Sequence, residues 1–222
     1  MKKIFYLLTL FLFFIPVFSA CNNSFSLEPF VSELKSCVYQ GQSQTYSLKA
    51  CYGFIEQPFE NDGTVGNKVY SLTFKLLDKE TDETTYTLFF NYGDNTYTAP
   101  FKLNPITNTL TCSLEIARFD VNEFSVEVHS ASNVETVTLK SIIPANTITY
   151  SQALQRLQND QSLLISHYIS EDGEFNAEIY VRILVKDDKP FWYVGFASGN
   201  NNLKALLIDG ISGETLAVRE IF

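Results

Sequence analysis

Residues 189–222 read KPFWYVGFASGNNNLKALLIDGISGETLAVREIF. Phe191 and Tyr193 fall on one side of an extended chain there, and Trp192, Val194 and Phe196 on the other. A strand that is apolar on both sides is central in a sheet or covered twice. Ser198-Gly199-Asn200-Asn201-Asn202 is a turn cluster. A second strand follows at 203–208, then the turn Asp209-Gly210-Ile211-Ser212-Gly213-Glu214. Asp209 is suited to accept backbone N–H groups just after it, and Gly213 to take a positive φ. Leu216, Val218 and Glu220 alternate with Ala217, Arg219 and Ile221 in a last strand. The tail is a three-strand antiparallel meander, and Asp209 is turn chemistry rather than a catalytic acid.

Working outward, residues 177–186 form another strand, with Ile179, Val181, Ile183 and Val185 on one side. Asp187-Asp188-Lys189-Pro190 turns it into the meander. Before it, Thr149 with Gln152 fits a capping box, and Ile148 with Ala153 its hydrophobic staple. The helix they open buries Ala153, Leu154 and Leu157 and ends at Asn159-Asp160. Residues 163–169 suit either a strand or more helix. A helix followed by four strands predicts an α+β layer with Leu154 and Leu157 on one sheet face.

Trp192-Tyr193-Val194 followed by Ile208-Asp209-Gly210-Ile211-Ser212-Gly213-Glu214-Thr215-Leu216 resembles the tail of the PepSY family. That tail is an aromatic strand and then a V-D-A-x-T-G-E-V-L turn; Gly210 and Ile211 depart mildly from it. The resemblance covers residues 147–222. It implies a small α+β domain of a family thought to restrain or assist peptidases, or to serve as an accessory domain in the cell envelope.

Residues 44–143 change pattern. Candidate strands at 44–54, 68–77, 84–92, 97–103, 109–117, 124–130 and 134–143 are rich in Thr, Tyr, Val and Phe, with Gly, Asp, Asn and Pro between them. The fold class is mainly β with α+β: an antiparallel β-sandwich, immunoglobulin-like by strand count, and then the helix-plus-meander domain. Phe124, Val126 and Val128 face inward, which leaves His129 outward. Residues 69–116 also run parallel in pattern to 179–221, as two related meanders would. Leu27, Phe30, Val31 and Leu34 recur at helical spacing, so a short helix is expected within 27–37. The organisation expected is a signal peptide at 1–20, a tether and short helix at 21–43, the sandwich at 44–143 and the α+β domain at 147–222, with a boundary at 144–146.

The leader joins Met1-Lys2-Lys3 to an apolar run at 4–18 that is too short to span a bilayer. Phe18-Ser19-Ala20-Cys21 is similar to a bacterial lipobox, although the family favours Leu where Phe18 stands. The resemblance implies acylation of Cys21, palmitate included, an extracytoplasmic chain held on the cell membrane, and a cell-surface location. The net charge of -9 leaves no basic field to follow phosphates, so nucleic acid is not expected.

Among the other cysteines, Cys37 and Cys51 close the shortest loop and are the candidate disulfide, while Cys112 reads as buried. His129 and His167 lack a second histidine at ligand spacing. No nucleophile elbow, phosphate loop or dinucleotide fingerprint occurs. The expectation is a non-catalytic protein-binding or regulatory module without cofactor or metal, acting on an envelope protein such as a peptidase. Phe191, Trp192 and Tyr193 are its candidate partner surface. The alternative is a solute-binding lipoprotein that takes a sugar or peptide on an aromatic face.

Overall fold

The computed structural model describes residues 25–58, 66–79, 85–198 and 203–221. The signal peptide, Cys21, the acidic turn at 80–83 and the Asn200–Asn202 turn lie outside the described residues. Pro29 sits in a 3-10 turn, Glu28–Phe30, and β1 (Val31–Gln42) follows at once. The helix expected within 27–37 is therefore a strand. The cause is visible in the register, which shifts between Val31 and Glu33 against one neighbour and between Lys35 and Cys37 against the other. Each bulge inserts a residue out of step. Val31, Leu34 and Val38 consequently share one core at spacings that imitate a helix.

β1 organises the molecule. Its first half pairs in parallel with β10 (Glu178–Lys186), and Tyr39 and Gln40 pair with β9 (Val134–Ser141). From Glu33 to Gln42 it pairs antiparallel with β2 (Tyr46–Gln57). From β2 the order runs to β3 (Asn67–Lys79), β7 (Thr109–Glu115) and β6 (Lys102–Asn104). β4 (Thr87–Tyr92) pairs with β5 (Asn95–Pro100) and with β8 (Glu123–His129), and β8 pairs with β9. β5 passes into β6 at buried Phe101, whose N–H donates to the Tyr86 carbonyl at 2.8 Å. That bend completes a circuit, so the expected sandwich strands form one barrel-like sheet. Its interior holds Tyr39, Leu48, Phe74, Leu88, Val128 and Leu139. Phe119 plugs it, in ring contact with Tyr39, Tyr52, Phe90 and Phe124. The hydroxyls of Tyr39 and Tyr52 donate to the carbonyls of Val121 and Ala117 and hold the loop that carries Phe119.

The other side of β1 continues into β10, β11 (Lys189–Ala197), β12 (Leu203–Asp209) and β13 (Thr215–Ile221), an antiparallel meander as expected. α1 (Tyr150–Asp160) packs on it through Ala153, Leu154 and Leu157, and the Thr149–Gln152 capping box is present. Of the ambiguous stretch 163–169, residues 163–166 fall in α2 (Ser162–Ser166), and Ile169 makes an isolated antiparallel bridge to Phe175. Both cores draw on the same two strands. β2 sends Phe54 to the helix-side core and Tyr46, Leu48, Ala50 and Tyr52 into the barrel. The two-meander parallel stops at its first hairpin: β10 pairs with β11, whereas β3 pairs with β2 and β7 and not with β4.

Candidate functional site

In β11 the two faces part sharply. Trp192, Val194 and Phe196 are buried under α1, and the Trp192 Nε1–H donates to the Ile148 carbonyl at 2.9 Å. Trp192 therefore leaves the expected partner surface: its indole spans the core and ties the helix entry to the sheet. Phe191 and Tyr193 point the other way and are half-buried. Phe191 lies opposite Leu184, which is 45% exposed, and Tyr193 lies between Arg182 and Leu207. Opposed residues of paired strands project from the same face, so these side chains make one patch on the outside of the meander.

An ion cluster that sequence reading did not find adjoins the patch. Arg182 Nε and Nη2 donate to Glu33 Oε1 and Oε2 at 2.8 and 3.0 Å, a bidentate fork. Lys35 Nζ stands 2.9 Å from Glu33 Oε1. Burial pushes the Glu33 carboxyl up, but hydrogen bonds and charge from Arg182 and Lys35 pull it further down, to below its ordinary value. Two half-exposed cations thus share one buried carboxylate. The only sequence signal was Glu33 and Lys35 two apart, which share a face on a strand but not on a helix; the helical reading hid it.

Beyond Lys35 a shallow trough of about 250 Å³ runs along the sheet, bordered by Lys35, Cys51, Ile55, Ser71, Thr73 and Ser113 over Gly53. Burial pushes the Cys51 thiol up to about 11, so it is protonated and a poor nucleophile at neutral pH. Cys37 and Cys51 do not form the expected disulfide; both are free thiols. Cys37 opposes Tyr52, and Cys51 opposes Val38. Tyr52 and Cys51 are consecutive in β2, so the two sulfurs leave opposite faces. Cys112 is buried in the barrel, as expected, with its thiol pushed up to about 12 by desolvation.

The remaining candidates are scattered. His129 Nε2 stands 2.8 Å from Glu127 Oε2, with its ring against Phe89. His167 contacts the Leu163 carbonyl through Nδ1. Among the described residues no three His, Cys, Asp or Glu side chains are grouped to hold a metal. Asp209 performs turn chemistry: its Oδ1 accepts from Ile211 N–H at 2.9 Å and Ser212 N–H at 2.7 Å, and Gly213 has φ +76°. Of the aromatics around the β4–β5 hairpin, Tyr86 and Phe90 are buried, and Tyr92 and Tyr97 stack on Phe90. No described helix is long and apolar enough to cross a membrane. No protein-family model, curated protein or solved structure matches this chain.

Proposed function

We propose that this chain is a membrane-anchored extracytoplasmic lipoprotein that binds a protein partner and performs no chemistry of its own. The observation that carries the reading is the outer patch of the meander: Leu184, Phe191, Tyr193 and Leu207 stand beside the Arg182–Glu33 fork. Aromatic side chains and arginine supply most of the energy at protein interfaces. Here they sit on a sheet with fixed spacing, so little entropy is lost on contact.

The anchor is Cys21, read from its lipobox-like setting. Four residues later the Phe25 carbonyl accepts a hydrogen bond from Gln158, and its ring packs against Phe30 and Phe175. Four residues span at most ~14 Å, so an acyl group on Cys21 would hold the α1 side close to the bilayer. The PepSY-like reading of 147–222 is kept, supported by the order of α1 and β10–β13 and by the Asp209–Gly213 turn. The immunoglobulin-like reading of 44–143 has less support, because β1 belongs with those strands and they follow a barrel circuit.

Solute capture is the weaker alternative. The trough falls below the ~300 Å³ at which small-molecule pockets begin and is bordered by hydroxyls rather than by the aromatic patch.

The test places a photo-crosslinking amino acid at Leu184, at Tyr193 and, as a control, at Ile106, which is 92% exposed on another turn. One envelope protein is expected to be captured from 184 and 193 only, and to be lost with Arg182→Glu. Equal capture from all three sites, or none, overturns partner binding. Incorporation of an alkyne-labelled fatty acid that survives Cys21→Ser overturns the anchor.

A further inference from the structure

A row of lysines crosses the outside of the barrel. Gln40 opposes Lys140 on one side and Lys49 on the other. Lys49 opposes Lys75, Lys75 opposes Thr111, and Thr111 opposes Lys102. These residues stand in one register across β9, β1, β2, β3, β7 and β6, and opposed residues share a face. Their neighbours along each strand, Tyr39, Leu48, Phe74 and Leu139, fill the barrel, so the row points outward. Lys49, Lys102 and Lys140 are exposed, and Lys75 is half-buried. Five strand spacings of ~4.8 Å make the row about 24 Å long.

Lys140 is matched by Glu123 at 3.0 Å. Among the described residues no carboxylate forms an ion pair with Lys49, Lys75 or Lys102. Like charges directly opposed across a sheet destabilise it, yet this chain of net charge -9 places Lys49 against Lys75. We propose that the row, a local basic stripe that the net charge of -9 conceals and the sequence reading did not expect, is a binding track for a flexible linear phosphate polymer. Its positive charge lies along a line, which matches a chain of repeating anions and not a lone one. Its cations are all lysines, point charges that accept a phosphate from many directions. It has no aromatic to stack a base, so charge and not sequence is read. Lysine is depleted from the cores of protein interfaces, and no apolar anchor interrupts the row, which argues against a folded partner there. The barrel curves beneath the row; a flexible polymer follows that arc, whereas a flat bilayer meets only part of it.

The track is independent of the aromatic patch, and its test uses purified full-chain protein with long-chain polyphosphate as probe. Binding is expected at low salt and to weaken steeply as salt rises, because counterions are released. The K49A/K75A/K102A triple variant should bind at least tenfold more weakly, while the three Lys→Arg changes retain binding. A control triple elsewhere, K186A/K189A/R219A, should bind like the parent. No binding by the parent overturns the proposal, as does equal loss in the control triple. Competition by orthophosphate at matched phosphate concentration would mark a single-anion site and overturns it too. So would a preference for phosphatidylglycerol over phosphatidylcholine vesicles with no affinity for polyphosphate. Circular dichroism of each variant separates lost binding from lost fold.

Discussion

Gly53 lies directly beneath the backbone carbonyl of Leu34: a Cβ at 53 would overlap that oxygen and stand 2.7 Å from its carbon. The two residues sit on the strands shared by both cores, next to the bulge that separates Lys35 from Cys37. The bulge presses β1 against β2, and only a residue without a side chain fits below it.

Gly53→Ala should therefore destabilise the whole molecule, by about 3 kcal/mol or more given backbone overlap in a packed sheet. Urea unfolding of the variant is expected to show a lower midpoint in both far-UV signal and Trp192 fluorescence. A loss confined to one probe would mean that the two cores unfold separately.

Glu33→Gln removes the carboxylate that Arg182 and Lys35 share. Breaking a buried pair costs ~3–5 kcal/mol; because the Arg182 side chain is 41% exposed, about 1–2 kcal/mol is expected after solvent screening. The Glu33 carboxyl titrates below its ordinary 4.5 in the folded chain. Its stabilisation is thus present above that pH and is lost as pH falls through the lowered value. The stability gap between parent and variant should be full at pH 7 and shrink below about pH 4.5; a gap constant down to pH 3 contradicts the pairing.

Glu135 links two turns: it accepts from Thr45 N–H and Oγ1–H and from Asn133 Nδ2–H. Hydrogen bonds from Ser43 and Thr45 lead in holding its carboxyl down at about 2. Glu135→Gln should lower the urea midpoint at pH 7 slightly, with the difference fading between about pH 4.5 and pH 2. Carboxyl NMR titration of residue 135 provides the direct check.

Cys37 and Cys51 should both be alkylated when the protein is unfolded without reductant, and reductant should leave the melting temperature unchanged. In the folded protein Cys51 should react slowly at pH 7 and faster as pH approaches its raised value of about 11. A mass consistent with a 37–51 bridge would contradict the register of β1 and β2.

Trp192 is the chain's single tryptophan. Buried, with its N–H donated to Ile148, it should emit in the blue and resist iodide quenching. Trp192→Phe removes that hydrogen bond and part of the core volume, at a cost of ~1–3 kcal/mol, and should raise amide exchange at the start of α1.

The local chemistry was legible because it needs only neighbours in sequence. Thr149 and Gln152 cap α1 reciprocally within one turn. Asp209 and Gly213 close a hairpin whose partners lie within four residues. The alternation of Val126 and Val128 with Glu127 and His129 put β8 in its correct orientation. Where a bulge interrupts period 2, that legibility ends. Residues 27–37 read as a helix because Leu27, Phe30, Val31 and Leu34 recur three and four apart, and the pairing with β2 and β10 overrules the spacing.

The sequence by itself determined the β-rich composition, the capped helix, the tail meander and its Asp209–Gly213 turn, because periodicity and turn chemistry act over a few residues. Tertiary structure alone decided the rest. It closed the middle strands into a barrel circuit, put Trp192 inside and Tyr193 outside, and kept Cys37 and Cys51 on opposite faces. It also brought Glu33 to Arg182 across 149 residues and aligned four lysines from four strands. Those outcomes depend on which strand lies beside which and in what register, and that is set by long-range burial around β1 rather than by any local pattern.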